Sequence, residues 1–455
     1  MRNIVLIVVD TLRPDRLGCG GYRRPTSPHL DRLAAEGAVF DAMWSASNYT
    51  APAFTSLFTG LHPHEHGIFD FTAQAGGSAV FDAVRAAGLA TGGVVTFRFF
   101  RNLLRHAWGE LEAVTDGRSF DYAKDLPLAV TDGALEWLDR RDPARPFGLF
   151  LHYDGPHMPY RLPPQYAALF DTPEAAGVAP DLVATLFPQQ LERLEQKPGP
   201  TIFRLIEAVE WGRRRLTPAD LAWLRDKYDA CVRYNDEAIG RFLAGLTARG
   251  LADETVVCVL SDHGEAFCEH GSFSHGGIDL HEEIVRTVGI VRDPGRPAVA
   301  GRRFARPVSH VDVWPTLLRL AGVPWPTAGF SDLLDGAPDG DGPPVFCQGK
   351  AKAAVRRGNL KAIVARPNPG LARTARLRTF AKLALRRRLG TQLYDLAADP
   401  GETRNLAHDR ALAAPLRRLL REHLATVRPA VAAGAGPDEA ERRRIEQEMR
   451  DLGYL

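Results

Sequence analysis

The chain has 455 residues, which exceeds what one hydrophobic core usually supports, so we expect one large domain with a smaller companion. With 45% hydrophobic residues, 25% charged residues and a net charge of +2, its composition is that of an ordinary soluble protein. No apolar run approaches the ~20 residues that span a bilayer, which excludes a membrane-spanning helix.

Five cysteines are scattered along the chain without CxxC spacing: Cys19, Cys231, Cys258, Cys268 and Cys347. Their odd number and their spacing predict a reducing compartment and no disulfide framework. The apolar run at residues 4–9 is too short for a secretory signal and ends in Asp10. We therefore predict a cytoplasmic protein, and we expect no nucleic-acid partner.

The first predicted element is a strand over residues 4–9. Its continuous β-branched run is typical of a strand that is buried on both faces of a mostly parallel sheet. Asp10 follows at the carboxyl end of this strand, and ligands bind at that edge of open α/β sheets. Residues 28–36 then read as a helix between Ser27 and Gly37.

Residues 48–60 read as a loop that enters a short helix. Pro52 suits the first helical position and Gly60 suits the stop. This arrangement would place the Thr50 hydroxyl beside free backbone N–H groups at the positive end of a helix dipole, where an oxyanion is stabilised. We therefore predict Thr50 as a nucleophile. The simpler interpretation of the same pattern is a plain helix cap.

Helices and strands then alternate, which predicts an α/β domain over residues 1–335. The sequence indicates helices at 81–87, 130–140, 221–249 and 312–321, and strands at 92–96, 147–152, 255–260 and 287–291. The strand at 147–152 leads to His152, Asp154 and His157, and the strand at 255–260 leads to Asp262 and His263. Residues 162–216 lack strand patterning, so we predict a helical insertion that roofs the site.

The sequence after residue 335 predicts a Pro/Gly/Asp-rich linker at 336–344 and then a smaller α+β domain at 344–455. Short strands are indicated at 344–348, 353–357 and 360–364, and helices at 412–427 and 437–452. Residues 371–389 form a basic amphipathic segment with no acidic residue: Arg373, Arg376, Arg378, Lys382, Arg386, Arg387 and Arg388. Such a helix either docks on anionic lipid or another polyanion, as a peripheral membrane contact, or is solvated and packs on its own domain.

The polar residues at the strand ends predict a metal centre. Asp10, Asp262 and His263, with the Thr50 hydroxyl, suit one divalent cation such as Mg²⁺, Mn²⁺, Ca²⁺ or Zn²⁺. A metal would lower the pKa of the hydroxyl and polarise a phosphoryl or sulfuryl oxygen. His157 and His275 would hold the other oxygens or protonate the leaving group.

Other polar residues near these segments are less decisive. We predict His152, Asp154 and His270 as substrate-binding residues, although each has a simpler interpretation as a brace for its own turn or neighbour. A second metal held by Asp154, His157 and His275 stays open, because nothing in their spacing requires it. His275 can equally be a loop hydrogen-bond donor.

Five motifs are spread over nearly the whole chain: NIVLIVVDTLRPD at 3–15, TAPAFTSLFTG at 50–60, PHMPY at 156–160, SDHGEAFCEHG at 261–271 and LYDL with its sequel at 393–407. Together they resemble the sulfatase family of the alkaline phosphatase superfamily. The second lies where sulfatases have Cys-x-Pro-x-Arg followed by Leu-Thr-Gly, the third is similar to Pro-His-x-Pro-Tyr, and the fourth is similar to the second metal-binding segment. The resemblance implies a large mixed, mostly parallel sheet between helices, a small antiparallel carboxyl-terminal sheet, and a metal held by Asp10, Asp262, His263 and the nucleophile.

The sequence departs from this family at the site itself. Thr50 stands where sulfatases convert Cys or Ser to formylglycine, and threonine cannot give that aldehyde. Phe54 replaces the motif Arg, and His275 replaces the Lys after the second metal segment. Thr11 replaces the second metal-binding Asp, and at this position we predict it as a further metal-binding residue. The family's Gly-Lys-Trp-His segment has no clear counterpart at 91–105. A threonine nucleophile resembles the phosphoethanolamine and glycerol-phosphate transferases and the phosphodiesterases of the superfamily, which form a phospho-threonine intermediate.

Three functions follow as hypotheses. The first is a metal-dependent hydrolase or transferase that acts on a phosphate ester or diester of a small molecule, lipid or glycan through Thr50. The second is a sulfuric ester hydrolase that works without formylglycine. The third is a degenerate binding protein that keeps the fold.

Overall fold

The computed structural model describes residues 1–69, 78–96, 100, 110–113, 126–187, 199–325, 330–336, 339–366, 377, 381, 383–384, 389–426, 439–440 and 443. Within these ranges the strands are β1 Asn3–Val9, β2 Ala38–Phe40, β3 Met43–Trp44, β4 Ala90–Val95, β5 Glu110–Ala113, β6 Phe147–Tyr153, β7 Thr255–Leu260, β8 Ala266–Phe267, β9 Phe273–Ser274, β10 Arg286–Thr287, β11 Gly289–Arg292, β12 Arg303–Phe304, β13 Val308–Ser309, β14 Val345–Gln348, β15 Lys352–Arg357, β16 Leu360–Ala365 and β17 Gln392–Asp395.

The α-helices in the same ranges are α1 Pro28–Glu36, α2 Thr50–Thr59, α3 Pro63–His66, α4 Ala79–Ala86, α5 Leu126–Arg140, α6 Pro164–Ala167, α7 Pro180–Leu186, α8 Gly199–Glu210, α9 Pro218–Ala248, α10 Glu282–Val285, α11 Val313–Leu320 and α12 Arg410–Ala425. Short 3₁₀ turns occur at Pro14–Arg16, Gly18–Gly20, Pro173–Ala175, Ala252–Glu254, Pro297–Val299 and His310–Asp312. None of the helices in the described residues is long and apolar enough to cross a bilayer.

In the described part of the chain, the central sheet has eight strands in the order β12-β2-β11-β7-β1-β6-β4-β5. All neighbours are parallel except β11, which runs antiparallel to both β7 and β2. The fold class predicted from the sequence is therefore confirmed. Since β7, β1 and β6 are adjacent and parallel, the residues that follow them meet at one edge.

Strand β1 is buried on both faces, as its β-branched run predicts. Val5, Ile7 and Val9 pack into a core with helices α1, α5 and α9. The alternate residues Ile4, Leu6 and Val8 pack into a second core with α2, α4 and α11. Each such side chain stabilises the fold by ~1.5–3 kcal/mol, so the two cores fix the strand that carries Asp10.

Several predicted elements differ from the structure in their bounds, and two of these differences have a specific physical reason. Helix α2 begins at Thr50 rather than at Pro52, because Tyr49 is extended and its carbonyl oxygen already accepts a hydrogen bond from Ala53 N. The strand predicted at 287–291 is two strands, β10 and β11, broken at Val288. The break occurs because β10 pairs with β3 whereas β11 pairs with β7, so the run serves two sheets.

A small antiparallel sheet in the order β14-β15-β16-β17 follows the central domain. One face packs on α12 and the other packs on Trp44, Leu280 and Ile284 of the preceding domain. The exact domain boundaries at 335 and 344 stay a prediction. The described parts of the insertion predicted at 162–216 contain helices α6, α7 and α8, whereas most of the basic segment at 371–389 and of the helix at 437–452 lies outside the described residues.

A buried charge cluster joins the two domains. Lys361 Nζ lies 2.9 Å from Glu282 Oε1 and 2.8 Å from Glu402 Oε1, and the Lys361 side chain is fully buried. Burial raises the pKa of Glu402 to about 7, and the nearby Lys361 opposes that rise. The cation therefore holds two carboxylates from different parts of the chain in the interior.

Lys361→Met is expected to destabilise the protein, because it removes the cation paired with the buried Glu402 and leaves Glu282 with only its ion pair to Arg356. Breaking such a cluster from one side typically costs about 3–5 kcal/mol in the free energy of unfolding, which denaturant titration measures. Arg357→Met, at the exposed end of β15, is the control and should change stability by less than about 0.5 kcal/mol. Equal stability of the two variants would show that the cluster does not hold the sheet.

Candidate active site

Asp10 extends β1 by one residue at the carboxyl edge of the sheet. Its backbone N–H donates to Tyr153 O at 2.9 Å, which continues the parallel ladder with β6. The next residue, Thr11, has a φ of 56°, which is rare for a β-branched residue and costs on the order of 1–3 kcal/mol. Thr11 N donates to Asp262 Oδ1 at 3.2 Å, and the Tyr228 hydroxyl donates to Thr11 O at 2.7 Å. These bonds hold the strained turn and bring Asp10 beside Asp262.

Gly155 allows β6 to leave the sheet close to Asp10. Its φ is 52°, and a Cβ there would lie 2.6 Å from the backbone oxygen of Asp10. A side chain at this position would push the two strand ends apart.

Asp262 and His263 follow β7 at the same edge. His263 Nδ1 lies 3.0 Å from Gly264 O, and because a carbonyl only accepts, Nδ1 carries the proton. The Nε2 lone pair therefore faces the site, at 3.2 Å from Asp262 Oδ2 and 3.9 Å from Asp10 Oδ1. In this tautomer Nε2 can bind a metal while a carbonyl fixes the other ring nitrogen.

Thr50 completes this group. Its Oγ1 lies 3.2 Å from His263 Nε2, and the residue is almost fully buried. Thr50 is also the first residue of α2, whose free N–H groups stabilise negative charge. The structure thus brings Thr50, Asp10, Asp262 and His263 together, as the sequence predicts.

The donor set fits a divalent cation. No hydrogen-bond partner among the described residues reaches either oxygen of Asp10, Asp262 Oδ2 or Thr11 Oγ1, although all are buried. Burial, followed by the charges of Asp262 and other carboxylates, raises the pKa of Asp10 well above its usual value, and burial also raises the pKa of Asp262. One ligand atom from each of Asp10, Asp262 and His263 lies within 4.8 Å of the others. Two carboxylates, an imidazole and a hydroxyl suit Mg²⁺, Mn²⁺, Ca²⁺ or Zn²⁺, and a cation would relieve these buried charges.

His157 and His275 lie next to this group, as predicted. The ring of His275 is 4.5 Å from that of His263 and 4.8 Å from that of His157 between centroids. His157 Nδ1 donates to Met158 O at 2.5 Å, and His275 Nδ1 is 3.3 Å from Glu265 Oε1. Burial lowers the pKa of both rings well below the usual value, and the positive charge of Lys350 lowers the pKa of His275 further.

His152 and Asp154 lie beside the group of candidate metal ligands. His152 is fully buried with its Nε2 3.7 Å from Asp10 Oδ2, and its ring packs on Phe100 and Phe54 at 4.3 and 5.4 Å. Phe54 thus lies in an aromatic cluster at the position where the resemblance implies an Arg. Asp154 Oδ2 accepts a hydrogen bond from Arg161 Nη1 at 2.7 Å. A direct role of His152 and Asp154 in substrate binding stays a prediction.

His270 belongs to a different set of contacts. Its Nδ1 is 2.8 Å from Glu283 Oε1, its Nε2 is 3.1 Å from Gly401 O, and its ring stacks on His281 at 3.7 Å and 7°. His270, His281 and Glu283 have ligand atoms within 4.8 Å. Because the two rings are nearly parallel and face each other, one ion cannot lie in both ring planes, so we interpret this cluster as structural. The prediction of His270 as a substrate-binding residue therefore gains no support.

The structure gives no support to a second metal either. Among the described residues, the groups whose ligand atoms converge are the two above, and neither contains Asp154, His157 or His275.

Lys350 lies beside the site, and sequence reasoning did not indicate it. Its Nζ lies 4.4 Å from the ring centroid of Tyr49, which directly precedes Thr50. Lys350 follows β14 of the small sheet, 300 residues after Thr50 in the chain. No motif marks it, and only the docking of the two domains places it here.

Known proteins of one family are similar in sequence to this chain. A family model described as Sulfatase matches residues 2–323. Iduronate 2-sulfatase of Mus musculus is 27% identical over 390 residues, which cover 71% of this chain and 69% of that protein.

Solved structures have the same fold. A protein in complex with its substrate D-glucosamine-2-N,6-O-disulfate matches with a TM-score of 0.69 at 19% identity, covering 99% of both chains. The phosphonate monoester hydrolase of Agrobacterium radiobacter matches with a TM-score of 0.62 at 18% identity, covering 93% of this chain and 95% of that one. At such identities these two matches establish the fold alone.

Proposed function

The chain belongs to the sulfatase family, a family of metal-dependent hydrolases, and from that premise we propose that it hydrolyses a phosphate ester or diester with Thr50 as the nucleophile. The observation that carries this proposal is the 3.2 Å separation of Thr50 Oγ1 and His263 Nε2 at the start of a buried helix. The fold does not choose between sulfate and phosphorus esters, since its neighbours include a phosphonate monoester hydrolase. A threonine as the proposed nucleophile supports a phosphorus ester.

A threonine side chain has a single hydroxyl on its Cβ, which constrains the reaction. When Thr50 attacks, the Oγ1–P bond forms and the ester O–P bond breaks, and the proton that the Thr50 hydroxyl releases is balanced by the one that the leaving alkoxide takes up. Water then attacks phosphorus, the Oγ1–P bond breaks, and a proton from the water restores the Thr50 hydroxyl as phosphate, or a phosphate monoester from a diester, leaves. An aldehyde hydrate has a second hydroxyl on the same carbon, which can expel sulfate as the carbonyl re-forms. Thr50 has no such route, so both steps must occur at the transferred atom, as in phosphoryl transfer.

The surrounding residues have complementary roles. The N–H groups at the start of α2 stabilise the charge that develops on the transferred group. His157 holds its Nδ1 proton on Met158 O, so its Nε2 is the basic atom and can take a proton from the attacking water. His275 lies between His157 and His263 and orients an oxygen of the substrate.

The cation would be held by Asp10, Asp262, His263 and Thr50, with Thr11 Oγ1 as a further oxygen near the first two. When bound, a divalent ion supplies Lewis acidity, which favours the alkoxide of Thr50 and draws charge from the substrate oxygens. The backbone bonds from Thr11 and His263 to Asp262 Oδ1 leave Oδ2 directed at the site.

A three-substrate assay tests the proposal. Purified protein with added Mg²⁺, Mn²⁺, Ca²⁺ or Zn²⁺ is expected to turn over an aryl phosphate or an aryl phosphodiester faster than an aryl sulfate. Mass spectrometry of acid-quenched turnover is expected to find phosphate on Thr50. Turnover of the sulfate alone would replace the proposal with the second candidate, sulfate ester hydrolysis without formylglycine, which the names of the relatives favour. A protein that binds no divalent ion and is inert with all three substrates would be a binding protein.

A further inference from the structure

The small carboxyl-terminal sheet reaches the segment that leads to Thr50. Gln348 N, at the end of β14, donates to Ala46 O at 2.9 Å, and Ser47 Oγ donates to Gln348 O at 2.8 Å. The turn that follows β14 therefore lies directly on the residues before the nucleophile.

Gly349 permits an unusually close approach at this turn. A Cβ on Gly349 would lie 2.8 Å from Asn48 Oδ1, so a larger residue would require either the Asn48 side chain or the turn to shift. Gly349 N donates to Lys352 O at 2.9 Å, which closes the turn. Its next residue, Lys350, places Nζ over the ring of Tyr49.

A buried ion pair fixes the turn from the other side. Lys352 Nζ lies 3.1 Å from Asp279 Oδ1, and both side chains are fully buried. Gln392 Oε1 accepts a second hydrogen bond from Lys352 Nζ at 2.9 Å. Lys350 is therefore carried by a rigid part of the sheet, two residues from a buried anchor.

The segment before Thr50 also carries the loop of His275. Gly276 N donates to Asn48 O at 2.9 Å, so His275, Tyr49 and Lys350 are packed around one stretch of backbone. The group around Thr50 is rich in carboxylates, namely Asp10, Asp262, Asp154 and Glu265. An anionic ester bound there needs positive charge on its other side.

We propose that Lys350 is a substrate-binding residue that the carboxyl-terminal sheet contributes to the active site, where its ammonium group binds an anionic oxygen of the ester held at Thr50. This inference rests on the proposed function, because it takes Thr50 as the place where the ester binds. A lysine ammonium is a compact charge with three donors, which suits tetrahedral oxyanions. Its contact with the Tyr49 ring limits its motion.

Two neutral variants and one charged variant test the role of Lys350. Lys350→Met and Lys350→Gln are expected to lower kcat/KM for the best aryl ester by about 10- to 100-fold, mostly through KM, as for a lost hydrogen bond to a charged group. Lys350→Arg should recover most of this loss. Arg357→Met, which removes an exposed cation from the same sheet, should be unchanged. All variants are checked for an unaltered thermal midpoint.

Binding of inorganic phosphate separates this inference from the proposed function. Calorimetry on the metal-loaded protein requires no turnover, and Lys350→Met is expected to weaken phosphate binding by about 10-fold or more in both the wild-type and the Thr50→Val background. If Thr50→Val stays active while Lys350→Met binds phosphate weakly, the proposal that Thr50 is the nucleophile fails and the role of Lys350 stands. If both neutral variants match Arg357→Met in KM and in phosphate affinity, the role of Lys350 is overturned.

Discussion

Thr50→Val is expected to lower kcat by about 10⁴- to 10⁶-fold, the range found when a covalent nucleophile is removed. Valine has nearly the same shape as threonine, and Thr50 is buried at the first position of α2, so the helix should persist. The loss of the hydroxyl removes both the attacking atom and one metal ligand. The measurement is kcat with the best substrate of the aryl ester panel, together with metal content.

Thr55→Val is the matched control for this experiment. Thr55 lies on the same helix and is also fully buried, but its hydroxyl donates to Ala51 O at 2.8 Å and has no contact with the metal ligands. This variant should lose stability by about 0.5–1.5 kcal/mol for one hydrogen bond and keep its activity. If Thr50→Val retains kcat within 10-fold of wild type, a hydroxyl nucleophile at this position is excluded.

The convergence of the site could be predicted because it follows from regular structure. Strands β1, β6 and β7 are adjacent and parallel, so the polar residues after each of them must meet at one edge. A continuous apolar run marks each strand. Asp10 lies directly after β1, and Asp262 lies shortly after β7. The position of Thr50 followed from the helix signals around it, with an error of two residues in where α2 begins.

The remaining features depend on tertiary contacts that have no local signal. Lys350 reaches the site only because the Lys352–Asp279 pair and the strand contact at Ala46 dock the small sheet there. His270 belongs to a motif yet turns to Glu283 and Gly401, since its loop must also bind the carboxyl-terminal domain. The split of residues 287–291 into β10 and β11 is likewise set by two different partner strands.

Asp10→Asn is expected to abolish metal binding and to lower activity by far more than the 10- to 100-fold that loss of a supporting residue causes. Asn keeps the shape of Asp10 but removes a buried charge that no described donor stabilises. The metal-free variant should therefore be at least as stable as metal-free wild type. It should also lose the stabilisation that the ion gives wild type, about 2.7 kcal/mol at a metal concentration 100 times the Kd.

Asp236→Asn is the matched control for the metal site, because we expect the opposite effects on stability and on metal content. Asp236 is also a buried aspartate, but its two oxygens accept hydrogen bonds from Leu30 N at 2.8 Å and His29 N at 3.0 Å. Replacing one oxygen by an amide group opposes one of these bonds, so this variant should lose stability yet keep its metal. Thermal unfolding with and without the added ion, and metal content by atomic emission, measure both effects. The prediction assumes that the unrelieved charge at Asp10 requires a cation there. A metal-free Asp10→Asn protein that is clearly less stable than metal-free wild type would contradict this and would mean that Asp10 is a structural residue.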